Sequence, residues 1–126
     1  MKKNNGGFTL IEIMAVVVII SILATVVSVA VVDRLERAKV RLTKATIFRL
    51  KGECQGYKLE ENRYPDALQD LVQHRYLDEV PPDGWERPFR YANPGVRGPY
   101  DIVSYGSDGL PGGKGFDEDL WSHPSR

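Results

Sequence analysis

The sequence predicts an α+β fold: a long N-terminal helical spine, part transmembrane and part amphipathic, packed against a small antiparallel β-sheet with a C-terminal metal-binding loop. Three observations predict it. An uncharged run from Ile13 to Val32 passes directly into charged sequence with helical spacing. Alternating segments, Phe89-Arg90-Tyr91 and Tyr100 to Ser104, flank an Asn93-Pro94-Gly95 turn. Carboxylates and glycines then crowd the stretch between Tyr105 and Trp121.

Length and charge bound the answer. A chain of 126 residues has room for one folded domain. Its 17 Lys+Arg balance 17 Asp+Glu, so the totals point to no special partner, and no basic-aromatic pattern for nucleic acid occurs. The distribution is uneven. Arg34 to Lys51 carries seven bases and one acid, whereas the chain from Tyr64 onward carries eleven acids and six bases. Such asymmetry suits contact between copies of the chain, or pairing inside one copy. Cys54 is the only cysteine, which rules out an intrachain disulfide. The residues beyond the apolar run can bury only a thin core, and folds of that size usually lean on a metal or an oligomeric neighbour.

The spine begins with the uncharged run. Ile13 to Val32 is twenty residues interrupted only by Ser21, Thr25 and Ser28, and about twenty apolar residues in a helix cross the hydrocarbon core of a bilayer. A secretory signal peptide has a shorter apolar region, about 7–15 residues, followed by a small-residue cleavage site. Here Asp33-Arg34-Leu35-Glu36-Arg37 follows instead. A buried core helix is excluded, because so small a domain could not wrap one on all sides. Before the run stand a short basic leader, Met1-Lys2-Lys3-Asn4-Asn5-Gly6-Gly7, and the string Phe8-Thr9-Leu10-Ile11-Glu12. Glu12 is an ionisable group at the edge of an apolar span: either a functional acid with a partner, or a carboxylate reaching for the headgroups.

The Gly-Phe-Thr-Leu-Ile-Glu string, behind a basic leader and ahead of a long apolar run, resembles the processing site of type IV prepilins and type II secretion pseudopilins. The resemblance implies that a membrane aspartyl peptidase, the prepilin peptidase, cuts after Gly7 and methylates the new terminus at Phe8. It also implies that Glu12 meets the α-amine of a neighbouring copy's Phe8 during assembly. A lone carboxylate is costly in low dielectric, and an ammonium partner relieves it while fixing axial register. The chain then divides into a leader (1–7), a transmembrane or filament-core helix (8–32), and a periplasmic head that includes the amphipathic half of the helix (33–126). Two features depart from the expected pattern. Lys2 and Lys3 are outnumbered by Arg34, Arg37, Lys39, Arg41 and Lys44, so the positive-inside rule alone would put the C-terminal part in the cytoplasm, whereas processing needs Gly7 at that face. The helix-breaking glycine and proline common in the family, at positions matching Ser21 and Val29, are missing.

Beyond the span, Leu35, Ala38, Leu42, Ala45 and Phe48 recur at helical spacing, with Leu50, Cys54 and Tyr57 widening the apolar face. This stripe is expected to be core, with Cys54 a small buried apolar residue. Gly52 and Gly56 weaken the helix toward its end, and Asn62 to Pro65 stops it. Pro65 to Val72 reads as a short amphipathic helix with Leu68, Leu71 and Val72 on one side. Pro81-Pro82-Asp83-Gly84 is a turn, and the two alternating segments are strands. The string Arg63-Tyr64-Pro65, followed by Pro82-Asp83-Gly84-Trp85-Glu86-Arg87-Pro88-Phe89, is similar to the head of the major pseudopilin of type II secretion. With the N-terminal motif, the resemblance covers nearly the whole chain.

The acidic loop carries the remaining chemistry. Calcium takes about six to eight oxygens in flexible geometry, from carboxylates and backbone carbonyls. Glycines let carbonyls turn inward, and Asp117 and Asp119 would project together from an extended backbone. The spacing is not that of an EF-hand, and a solvated acidic tail is the plain alternative. The resemblance implies a calcium site built from Asp108, Asp117 and Asp119 with the Tyr105 carbonyl. Here the loop between Asp108 and Asp117 is longer than the family's, and Glu118 separates aspartates that are usually adjacent. Catalysis is not expected: His74 and His123 are far apart and read as surface residues, and no nucleophile motif surrounds Cys54.

Taken whole, the resemblance implies a structural subunit that polymerises into the periplasmic pseudopilus of a type II secretion system, driving export of folded proteins across the outer membrane. The partners it implies are further copies of the chain, minor pseudopilins, the prepilin peptidase, an inner-membrane assembly platform with its ATPase, an outer-membrane secretin, and membrane lipid. The implied location is the bacterial inner membrane, crossed once, with the head in the periplasm. A pilin of a type IV surface or DNA-uptake filament fits the same motif; the missing cysteine pair favours the pseudopilin. A non-polymerising, membrane-anchored calcium-binding module is the alternative from another class. Glu12 argues against it, because a mere anchor has no use for an acid at that depth.

Overall fold

The computed structural model describes residues 6–125. In chain order they form a helix α1 (Leu10–Glu61), a short helix α2 (Leu68–Gln73), strands β1 (Arg90–Ala92) and β2 (Asp101–Ser104), a 3-10 turn (Gly115–Asp117) and a strand β3 (Leu120–Trp121). The chain forms two compact units divided after Leu35, and the 52 residues of α1 run through both.

In the first unit α1 has no core of its own. Its large apolar side chains are about half exposed or more, from 48% at Ile13 to 79% at Leu10. The few polar groups are satisfied by the helix itself: the hydroxyls of Ser21, Thr25 and Ser28 donate to the carbonyls of Val17, Ser21 and Ala24 at 2.7, 2.9 and 2.8 Å. A segment surrounded by hydrocarbon must close its hydrogen bonds internally in this way. The segment is long and apolar enough to cross a membrane, with a mean hydropathy of 3.0. Lacking a glycine or proline at Ser21 and Val29, α1 is continuous there.

In the second unit α1 buries one line of residues: Thr43, Ile47, Leu50, Cys54 and Tyr57. Leu50, Cys54 and Tyr57 are buried as expected, but the earlier part of the expected stripe is corrected. Leu42 stays 58% exposed and Phe48 80%, and Leu35, Ala38 and Ala45 are exposed with them. The apolar pattern misplaces the line because a polar residue sits on it. Thr43 Oγ1 donates to the Lys39 carbonyl and accepts the Gly84 N–H, both at 2.8 Å, and a hydroxyl so satisfied can be buried. The turn at Gly84 lies directly on the helix, where any Cβ would collide with the Lys39 carbonyl.

Against that line pack Leu68 and Leu71 of α2, Leu77, Phe89, Tyr100 and Ile102. The antiparallel strands lie in the order β1-β2-β3, with Tyr91 opposite Ile102 and Val103 opposite Trp121. All four residues of β2 are buried, as suits the middle strand, and β1 and β3 are the edges. β3 was not expected, since two residues carry no alternation to read; its register comes from pairing with β2. Lys51 Nζ, donating to the Ser122 carbonyl at 2.8 Å, ties the residue after β3 to α1. α2 starts later than Pro65 suggests, because Asp70 Oδ2 accepts the N–H groups of Asp66 and Ala67 and holds them outside the helix.

Candidate functional site

Two stretches carry the residues singled out by sequence. At the first, Gly6 and Gly7 are exposed and irregular, and α1 begins only at Leu10. A cut between Gly7 and Phe8 therefore requires no unwinding of helix. Among the described residues nothing lies within 4 Å of where a Cβ on Gly7 would point, so they impose no glycine there. The leader residues 1–5, with Lys2 and Lys3, lie outside the described residues.

Glu12 sits in the first turn of α1. Its Oε2 accepts the Thr9 N–H at 3.1 Å, while the Glu12 N–H donates to Thr9 Oγ1 at 3.3 Å. This is a reciprocal capping box, and it places the carboxylate at the positive end of the helix dipole. Thr9 is a residue that sequence reading passed over, although Thr-x-x-Glu ahead of an apolar run is the signal for such a box. The Glu12 charge is thus already partnered inside one chain.

At the second stretch, Gly106, Gly109, Gly112, Gly113 and Gly115 all adopt positive φ, which coils residues 105–119 into a compact loop. Asp119 is half-buried, and its Oδ2 accepts the Gly112 N–H at 2.9 Å. Its other oxygen, Oδ1, is buried with no hydrogen-bond partner. Gly113 packs so closely on the Asp117 backbone that a Cβ would collide with the Asp117 carbonyl. The structure thus brings Asp119 to the backbone of Gly112, and Gly113 to that of Asp117. Asp108 and Asp117 have exposed side chains, and Asp108 Oδ1 turns back to accept the Leu110 N–H at 3.0 Å. Among the described residues no three His, Cys, Asp or Glu side chains converge as a ligand set, so the three aspartates do not form one carboxylate cluster. An orphaned, buried carboxylate oxygen is costly. A hard divalent cation, taking that oxygen together with backbone carbonyls, is chemistry the loop fits. Tyr105, whose carbonyl was expected as a ligand, opens this loop, with Arg90 over its ring at 5.8 Å.

The neck of the loop is held by residues that the sequence did not flag. Arg87 Nη1 donates to the carbonyls of Gly106 and Ser107 at 2.9 Å each. Arg87 is in turn placed by Asp83, a buried carboxylate that accepts the N–H groups of Trp85 and Arg87 and the Ser104 hydroxyl, at 2.9, 2.9 and 2.7 Å. Glu36 accepts from Trp85 Nε1 at 2.8 Å and from Lys39 Nζ at 3.1 Å. The Trp85 hydrogen bond, helped by Lys39 and opposed by burial, holds the Glu36 carboxyl below the usual range. An acid opening a Pro-Asp-Gly turn, with an Arg four residues on, was the available signal.

The remaining polar candidates do not form a reactive site. The Cys54 thiol is fully buried and pushed up to about 12, first by burial and then by the charge of Glu53, so it is no nucleophile. His123 is not the surface residue expected. Its ring stands edge-on to Tyr100 at 5.2 Å, with Nδ1 3.5 Å from Asp101 Oδ1. His74 is exposed, its ring edge-on to Tyr57 at 5.1 Å.

Comparison with known proteins bears on both stretches. Residues 30–123 match the family described as type II secretion system (T2SS), protein G, and residues 2–28 match the prokaryotic N-terminal methylation motif. The chain is 37% identical to type II secretion system core protein G of Pseudomonas aeruginosa, over 94% of this chain and 95% of that one. It is 33% identical to the core protein G of Vibrio cholerae, over 95% and 94% of the two chains. Among solved structures, it is similar to the major pseudopilin from the type 2 secretion system of enterohaemorrhagic Escherichia coli. That match has a TM-score of 0.61 at 25% identity and covers 71% of this chain and 90% of that chain.

Proposed function

We propose, from the premise that the chain belongs to the type II secretion system protein G family, that it is made as a prepilin, cut after Gly7, methylated at Phe8 and polymerised through Glu12. Its role as a pseudopilin subunit of that system is the fixed point; the residue-level steps are our reading. The family is structural, and assembly into a pseudopilus with other components of the system follows from membership.

The observation that carries the reading is the Thr9–Glu12 box at the head of an apolar helix that has no core of its own. In the uncut chain Glu12 is satisfied by its own Thr9. Cutting after Gly7 would create an α-amine at Phe8, a cation close to the same helix end. Offered by a neighbouring copy, that ammonium is a stronger partner for a carboxylate than a neutral N–H. The exchange would join two copies at one axial register, while their exposed apolar helices bury each other or remain in lipid.

In the second unit the reading places calcium in the 105–119 loop, held first by Asp119, with Asp117, Asp108 and the Tyr105 carbonyl drawn in around the ion. Bound there, the ion would supply the positive charge that the orphaned Asp119 oxygen lacks. The anchor would lie in the inner membrane with the second unit in the periplasm, where the growing pseudopilus would meet minor pseudopilins and press folded cargo toward the secretin. The assembly platform and its ATPase would act from the cytoplasmic side. Mass spectrometry of the assembled chain tests the first step: the expected species begins at methylated Phe8, and assembled material that retains Met1 refutes it.

A further inference from the structure

We propose that the two edges of the sheet are complementary surfaces: the exposed Phe48 and its basic surround beside β3 of one copy fit the acid-rimmed apolar groove beside β1 of the next. The inference rests on the pseudopilin reading and deepens it by naming a contact between copies.

Beside β3, a groove of about 480 Å³ runs between α1 and the C-terminal strand, with Lys44, Phe48, Lys51, Arg97 and Trp121 in its wall. Phe48 is 80% exposed, and a bare aromatic ring within a surround of cations is the composition of an interface anchor rather than of ordinary surface. Arg97 is stacked on the Trp121 ring at 3.9 Å, which fixes that charge in place. Lys44 also lines the adjoining groove with Arg41, so the positive edge continues along the helix. Glu118 and Asp119 line the loop side of the same groove; its basic side is the helix side.

Beside β1 lies a second groove, of about 470 Å³, walled by Val80, Pro81, Pro82, Pro88, Phe89 and Tyr91. Its charged lining residues are Asp66 and Glu86, both exposed. Asp66 is already shared with Arg63 in an exposed ion pair, which leaves Glu86 as the main negative group. Prolines carry no N–H to leave unpaired under an incoming ring. They also lose little freedom when they are covered.

The two grooves share no lining residue, and the order β1-β2-β3 puts them on opposite edges of one sheet. A contact between two different patches of the same chain is heterologous: where its rotation does not close a ring, it repeats into a filament. Self-pairing of the β1 edge would instead set Glu86 against Glu86.

A charge swap in the full-length, membrane-expressed chain tests this. Lys44→Glu alone and Glu86→Lys alone should each cut cross-linkable multimers about tenfold, by placing like charges across the contact. The double variant Lys44→Glu/Glu86→Lys restores the pairing with reversed sign and should recover most of the loss. Both positions are exposed, so the melting temperature should not move. Arg49→Cys, beside Phe48, and Gln69→Cys, in the lining of the second groove, keep the ring and Glu86 in place and should cross-link between copies, while Cys54, fully buried, stays out of the reaction. A double variant no better than the singles, single variants that assemble normally, or linkage of position 49 to itself would each overturn the proposal. Normal assembly of the charge variants alongside failure of Glu12→Val would overturn the edge pairing alone and leave the filament reading intact.

Discussion

The two halves of α1 follow opposite rules with the same backbone. Before Leu35 the large apolar side chains are bare and each hydroxyl is closed within the helix. After Glu36 a single line is buried, and it includes a threonine whose hydroxyl reaches another part of the fold. Burial for the second half is supplied by the chain's own sheet and loops. Burial for the first half has to come from lipid or from other copies. One helix thus joins a segment that is incomplete alone to a domain that is complete alone, which is what a subunit inserted in a membrane and then withdrawn into a filament requires.

The largest expected effect falls on the incomplete half. Glu12→Val removes the acid that the apolar span tolerates least, so anchorage should hold or improve. Filament growth should nevertheless collapse, because the neighbour's terminal ammonium loses its partner. Cross-linking in membranes measures this, and normal multimers in the variant would show Glu12 to be only a cap for its own helix. Thr9→Ala should weaken the cap by about 1 kcal/mol and leave assembly largely intact, since the intermolecular partner is the carboxylate.

Applying one substitution in both halves sharpens the contrast. Thr43→Val leaves the Gly84 N–H buried without an acceptor and should cost about 1–3 kcal/mol. Thr25→Val removes a hydroxyl that serves only its own helix, and should leave thermal unfolding of the second unit unchanged. Equal effects in a melting experiment would mean that the second half of α1 does not depend on its cross-contacts.

Calcium should act only on the complete half. For the detergent-solubilised chain, melting of the second unit should rise in calcium relative to chelator, by the equivalent of about 2.7 kcal/mol when the ion is at 100 times Kd. Asp119→Ala should abolish the difference, because it removes the orphaned oxygen that makes the loop receptive. Asp117→Ala should come close to that result, with Asp108→Ala behind them. Glu118→Ala should change little. An unchanged melting temperature in calcium would make the loop a self-held coil.

How much of this was legible follows the same division. The apolar span of the first half could be read, because burial on all sides needs no register and twenty uncharged residues announce themselves, but its Thr9–Glu12 cap was not. The second half was legible as a helix, and in its facing at Leu50, Cys54 and Tyr57, but not between residues 35 and 48. Thr43 took the place a hydrophobic stripe would have claimed, and Phe48 was left outside. β3 is only two residues long and is defined by its pairing with Val103 and Ser104. Asp83 and Arg87 look like turn residues until Ser104 and the Gly106 and Ser107 carbonyls arrive from about twenty residues away. Asp119 was marked by resemblance; its buried oxygen is visible only in the fold.

The smallest expected effect tests whether charge, rather than shape, helps hold the start of the second half to its loop. Glu36 accepts from Trp85 Nε1 and Lys39 Nζ, and the first of these does most to lower its carboxyl below the ordinary glutamate value. A lowered folded value means that the ionised form favours the folded state. Its contribution is present in full above the unfolded glutamate pKa, about 4.3, and is lost as pH falls through the lower folded value. Glu36→Gln keeps an oxygen for Trp85 but discards the charge. The stability gap between the native chain and this variant should therefore be level near neutral pH. It should begin to close below about 4.3 and vanish once Glu36 is protonated in the folded state. The paired side chains are partly open to water, at 31% for Lys39 and 17% for Glu36, so added salt should shrink the gap as well. A gap that persists unchanged into acid would assign the role of Glu36 to packing beneath Trp85.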